Sequence, residues 1–162
     1  TLTRVSQKFN YKVEPWLTIG ATPAFDRTRS SANGPLRNIY QLHLEATLSH
    51  TLGPARLALR NRYEVRRRES LDNDLDRFRQ YLRVTFPAEF LPGIDTIGFG
   101  HEIFYDINAS RLTAHRFYPL QVGFQLGETK WSSYLMYQMK RVGTTDDWRE
   151  NYVVGVSGAL SF

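Results

Sequence analysis

Between Leu36 and Asp106 the ionisable residues keep step with one another. Arg37 and Glu45 are followed by Arg60, Arg62, Glu64 and Arg66, then by Arg77, Arg79 and Arg83, then by Glu102 and Asp106, at even intervals within each group. Groups of both signs presented to one space can do two things. They can neutralise one another as an ionic network, which a low-dielectric surround demands of any charge it holds. They can also line a water-filled passage, where the surplus of arginine would draw small anions or polar solutes. The network is the reading taken forward, because a narrow enclosure of eight to ten strands holds little more than its own side chains.

Hydrolytic chemistry has thinner support. Ser49 beside His50, and His101 beside Glu102, supply parts of a hydroxyl-activating set, since a histidine needs an orienting carboxylate to activate a serine. Neighbours in a strand point to opposite faces, so His101 and Glu102 are poorly placed to serve one substrate. His43, His50, His101 and His115 show no metal-ligand spacing. There is no cysteine to supply a thiolate, a disulfide or a nucleophile. We expect no catalytic residue, no metal and no cofactor; a lipid-modifying enzyme is the third reading.

The elements that must position these charges are strands. From Ala55 the apolar Leu57, Leu59, Tyr63 and Val65 take one parity, and Arg56, Arg60, Arg62, Glu64 and Arg66 take the other, the two-residue period of a strand with two unlike faces. Leu36, Tyr40, Leu42, Leu44, Ala46 and Leu48 do the same before it, and Phe78, Leu82, Val84 and Phe86 after it. Further alternating segments run over residues 1–13, 16–27, 94–108, 111–126, 131–141 and 148–162, which makes nine strands in all. Pro23 argues for a strained, bulged or edge position in the second of these, since proline donates nothing to a ladder. Arg116 and Phe117 fall on the wrong parities of their segment, which either a bulge before Pro119 or an interfacial location would cure.

Strands of ten to fifteen residues exceed the usual five or six of soluble sheets and suit a tilted bilayer crossing. The expectation is an all-β protein: a single domain over 1–162, an antiparallel transmembrane β-barrel of eight to ten strands. Bacterial single-chain barrels have even strand numbers, so nine strands imply a missing N-terminal strand, or eight if Pro23 breaks the early count. Trp16, Tyr63, Phe90, Tyr105, Tyr118, Trp131, Trp148 and Tyr152 would then form aromatic girdles at the two interfaces. In a soluble β-sandwich or calycin-like binder, the fold-level alternative, they would be core or scattered surface.

Composition narrows the partners. The 162 residues carry 21 Lys and Arg against 16 Asp and Glu, a net +5, and 14% are aromatic, too many for a disordered chain. The stripe from Arg56 to Arg68 would suit a phosphate backbone, but Glu64 and Glu69 interrupt it, and we expect no nucleic acid. No apolar run reaches the roughly 18 residues of a transmembrane helix.

The last segment, with Tyr152, Val154, Val156, Leu160 and terminal Phe162, resembles the closing strand of Gram-negative outer-membrane β-barrels, the signal read by their assembly machinery. More narrowly, Glu45, the Arg60, Arg62, Glu64 and Arg66 series, Arg77, Arg79 and Arg83, the Glu102, Ile103, Phe104 segment and the isolated Arg116 resemble an uncharacterised family of bacterial outer-membrane barrels over about Leu36 to Phe162. That resemblance implies location in the outer membrane, contact with its lipids and with the barrel-assembly machinery, and further chain before the first strand. It implies no activity. An accessory or structural role in a larger envelope complex is the expected function.

Overall fold

The computed structural model describes residues 2–29, 35–69, 75–88, 90–127, 129–143 and 145–160. They form ten strands in one sheet: β1 (Leu2–Ser6), β2 (Phe9–Glu14), β3 (Leu17–Arg29), β4 (Leu36–Leu52), β5 (Ala55–Arg68), β6 (Leu75–Pro87), β7 (Thr96–Asp106), β8 (Arg111–Leu126), β9 (Thr129–Arg141) and β10 (Trp148–Leu160). The pairing order is β1-β3-β4-β5-β6-β7-β8-β9-β10, with β2 also on β3. Sequential antiparallel neighbours are what short turns between long alternating segments produce. The protein is all-β; among the described residues no helix is long and apolar enough to cross a membrane.

The first expected strand is broken. β1 pairs with Ala24 to Thr28 of β3 and β2 with Leu17 to Ala21, so the two share one place in the order, and ten strands fill nine rows. The interruption explains Pro23. Within an antiparallel pair a residue turns its N–H and C=O to the same neighbour, and the Pro23 carbonyl accepts the Gln7 N–H at 3.2 Å. Its nitrogen therefore faces the interval between β1 and β2, where no donor is required. On its other side Pro23 stays in register opposite Leu42, so it neither bulges nor ends β3, and the eight-strand count is overturned.

Of the two remedies for the Arg116–Phe117 mismatch, the bulge is present. The β8–β9 register slips between Phe117 and Leu120, and every side chain before the slip changes face relative to those after it. Leu112, Ala114 and Tyr118, expected on the apolar face, therefore share a face with Arg116 and Gln121, and Phe117 is exposed.

The contacts gather the chain into two compact units, the first Thr1–Leu48 with Arg60–Gln80 and Phe104–Leu112, the second Ser49–Leu59 with Tyr81–Ile103 and Thr113–Phe162. Each has the polarity of a soluble domain reversed. In the first, Asp26, Gln41, Glu45 and Glu64 are buried with Phe104, while Val5, Phe9, Tyr11, Leu42 and Leu44 are exposed. In the second, Glu102 is buried with Ala88, Ala114 and Met136, while Leu120, Leu135, Tyr152, Val154 and Val156 are exposed. Carboxylates are almost never buried unless paired, so their partners define the candidate site.

Candidate functional site

In the first unit the pairing is built around Glu64, which is 3% exposed on β5. From β6, Arg77 donates Nε to Glu64 Oε2 at 2.9 Å and adds a second, shorter contact through Nη2, and Arg79 Nη1 donates to Oε1 at 2.6 Å. Alternation puts Arg77 and Arg79 on one face of their strand, two residues apart, so a single carboxylate meets both. Their guanidinium carbons also lie 5.2 and 4.5 Å from the ring centroid of the buried Phe104, a cation–π contact.

Arg62 extends the network to β4. It lies 3.6 Å from Glu64 and donates Nε and Nη2 to Glu45 Oε2 at 3.0 and 2.8 Å. Lys8 Nζ sits 2.5 Å from the other Glu45 oxygen. Gly20 makes this possible, because a Cβ there would come within 3.1 Å of Glu45 Cγ and 2.6 Å of Asn10 Oδ1. A neighbouring group is built on Asp26, which Arg4 grips with Nε and Nη2 at 2.6 Å each and to which Gln41 Nε2 donates at 2.5 Å. The Gln41 carbonyl oxygen accepts Arg66 Nη2 at 3.3 Å, and His43 Nε2 is 3.3 Å from the same oxygen. Fork-to-carboxylate geometry of this kind is strong and directional. Removing one partner of a buried pair costs on the order of 3–5 kcal/mol, because the other charge is stranded.

The second unit fills its buried face with aromatic rings. Tyr81, Tyr118 and Tyr134 make successive edge-on contacts at 5.5 and 5.7 Å, and Gln121 Nε2 donates to the Tyr81 hydroxyl at 2.5 Å. Two of these rings lie over glycines of the next strand. A Cβ on Gly100 would come 2.8 Å from the Tyr81 ring, and one on Gly155 would overlap the hydroxyl end of the Tyr134 ring. Arg116 Nη1 lies 3.6 Å from Glu102 Oε2, so an arginine from beyond the charged central strands meets the one buried carboxylate described in this unit.

Of the eleven ionic residues marked in the sequence, Glu45, Arg62, Glu64, Arg66, Arg77 and Arg79 meet in the first unit's network. Glu102 lies with Arg116. Arg60 is half-buried on the parity of Arg62, Arg37 is half-buried on β4, and Arg83 is exposed. Asp106 accepts the Ala109 N–H at 3.0 Å and serves the turn instead. Of the aromatics, Trp16 is an exposed turn residue, Tyr63, Tyr105 and Tyr152 are exposed on strands, and Trp131 and Trp148 are half-buried. Phe90 is also exposed, and Tyr118 is turned to the buried face by the bulge. In the final strand Tyr152, Val154 and Val156 are exposed; Leu160 ends β10, and Phe162 lies outside the described residues.

Arg4, Lys8, Asp26, Gln41 and Phe104 belong to the network although the sequence pattern does not single them out. Arg4, Lys8 and Asp26 keep the polar parity of their segments with nothing further to mark them, and Phe104 is an apolar residue on a polar parity, the one trace of the network outside the charged positions. As for the hydrolytic sets, His101 stacks on His115 at 5.6 Å and Glu102 faces Arg116, so the adjacent pair serves two different neighbourhoods. Among the described residues no three of His, Asp and Glu converge as a metal site.

Comparison with known proteins gave no match among curated proteins and none among solved structures. A family model does match, over residues 3–151, nearly the whole of the ladder just described. The chain belongs to the family described as protein of unknown function DUF2490.

Proposed function

We propose that this protein is an integral β-barrel of the bacterial outer membrane, with a charged, self-filled lumen, acting as a structural or accessory component of an envelope complex. One observation carries the reading: the reversed polarity. Tyr152 and Val154 are 76% and 74% exposed while Glu64 and Glu102 are 3% and 2% exposed. In water that arrangement forfeits hydrophobic burial and desolvates charge at once. In a bilayer the apolar face meets acyl chains, and the ionic face turns to a protected interior. Strands of 11 to 17 residues from β3 to β10 are long enough for tilted crossings. The exposed alternation of Tyr152, Val154 and Val156 suits recognition by barrel-assembly machinery, and the aromatic residues exposed on strands suit contact with outer-membrane lipids.

The interior reads as filled because the first unit's buried carboxylates are spent on neighbouring cations and the second unit's buried face holds edge-on tyrosines. The rival reading is a narrow anion passage. It is favoured by arithmetic in the first unit, where Asp26, Glu45 and Glu64 stand among Arg4, Lys8, Arg62, Arg66, Arg77 and Arg79.

Purified, refolded protein should need detergent or lipid and should migrate differently on a gel before and after boiling. Free solubility of the folded chain without detergent ends the membrane reading. Planar-bilayer recording of inserted protein then separates the two interiors: silence is expected, whereas reproducible anion-selective steps altered by Arg79→Gln promote the passage. Co-purification of a defined partner after mild extraction is the expected sign of an accessory role.

A further inference from the structure

At the hairpin joining β9 to β10, within the second unit, cations meet without carboxylates. Lys140 and Arg149 are directly opposite one another in the ladder, and like charges so placed repel. Both are exposed, and neither meets a carboxylate among the described residues. The nearby acids are engaged elsewhere: Asp146 pairs with Arg141, and Glu150 hydrogen-bonds Tyr137. Asp147 gives its backbone carbonyl to the Val142 N–H at 2.9 Å, closing the hairpin.

Lys140, Arg149 and Arg141, with Val142 and Gly143, line a cavity of about 180 Å³. That is room for a tetrahedral oxyanion and several waters, each water taking about 30 Å³. Arg141 is held in place, its guanidinium carbon 5.1 Å from the Trp148 ring centroid and its side chain only 17% exposed. The Lys140 ammonium and the Arg149 guanidinium, side by side on one strand face at this cavity, are both phosphate donors, while Arg141, next to Lys140 in the strand, turns to the Trp148 side and is paired with Asp146.

The geometry points to a phosphate-binding site at the β9–β10 hairpin, in which a phosphate group bridges Lys140 and Arg149 and cancels their repulsion. A lipid headgroup and a free phosphate in solution present the same chemistry to these two cations. The site depends on one hairpin and stands whether or not the chain crosses a membrane.

The test uses the full refolded chain in non-ionic detergent and phosphate-free buffer. Inorganic phosphate, against chloride of equal ionic strength, should raise the wild-type melting temperature by about 2–4 °C. A short-chain phosphatidic acid in the same detergent is the second probe. Response to inorganic phosphate assigns a soluble source; response to the phosphatidic acid alone assigns a headgroup. In either case the double variant Lys140→Gln, Arg149→Gln should lose most of the shift and, without phosphate, melt no lower than wild type. Absence of a shift with both probes overturns the proposal, as does an undiminished shift in the double variant. Broadening of the phosphorus NMR line of either probe by wild type, and its loss with the double variant, tests binding independently of unfolding.

Discussion

The two units solve the same problem with different materials. Each must fill the buried side of strands whose other side is apolar and exposed. The first does so with charge, tying Glu64 and Glu45 to Arg62, Arg77, Arg79 and Lys8. The second does so largely with rings over glycines, Tyr81 on Gly100 and Tyr134 on Gly155, and leaves Glu102 with Arg116. An ion network is strong only while complete, since each removal strands a desolvated charge. Ring-on-glycine packing fails differently: it tolerates loss of the ring better than any addition to the glycine.

That contrast is breakable at its strongest point first. Glu64→Gln leaves Arg62, Arg77 and Arg79 facing one neutral amide, and equilibrium urea unfolding of the refolded protein should show a loss of about 3–5 kcal/mol. A loss below about 1 kcal/mol would mean that the arginines simply rehydrate and that the network is not a closed one. Next is Gly155→Ala. Its new methyl occupies the space of the Tyr134 ring, and about 1–3 kcal/mol of overpacking is expected. Adding Tyr134→Ala should recover part of that cost, and a strictly additive double-mutant cycle would show that ring and glycine do not bear on one another.

Tyr81→Phe is smaller. It keeps the ring on Gly100 and removes the hydroxyl that Gln121 donates to, so about 1 kcal/mol should go, with near-unchanged packing in the aromatic near-ultraviolet spectrum. Smallest of all is Arg67→Ala. Its pair with Asp76, at 2.8 Å, has the arginine side chain 47% exposed, and the change should register at no more than about 0.5 kcal/mol. If it matched Glu64→Gln, burial would not be what distinguishes the network.

Much of this is legible from alternation alone. The faces of β4, β5 and β6 follow from parity, which puts Glu64, Arg77 and Arg79 on the buried side. Partnership is not legible, because which residues meet across strands depends on register, and a single sequence states no register. Asp26 finds Arg4 and Gln41 only once β1, β3 and β4 are aligned. The Phe117–Leu120 bulge is foreseeable as a remedy for a mismatch, yet its consequence for Tyr118 reaches backward along the strand and needs the pairing with β9 to be seen. The break at Gln7 and Lys8 leaves no trace in the alternation, which continues through it in phase. Phe104 escapes for a different reason: an aromatic on a charged face looks like noise until two guanidiniums are found over it.

The interval between β1 and β2 also has a kinetic side. Because each segment is tied to β3 by its own short run of pairs, neither needs the other in order to open, and in the interval Pro23 has no N–H to give, only its carbonyl to the Gln7 N–H. The edge of this unit should therefore breathe in two steps. Amides of Phe9 to Glu14 and those of Leu2 to Ser6 should exchange with deuterium at separate rates, the latter governed by the grip of Arg4 on Asp26.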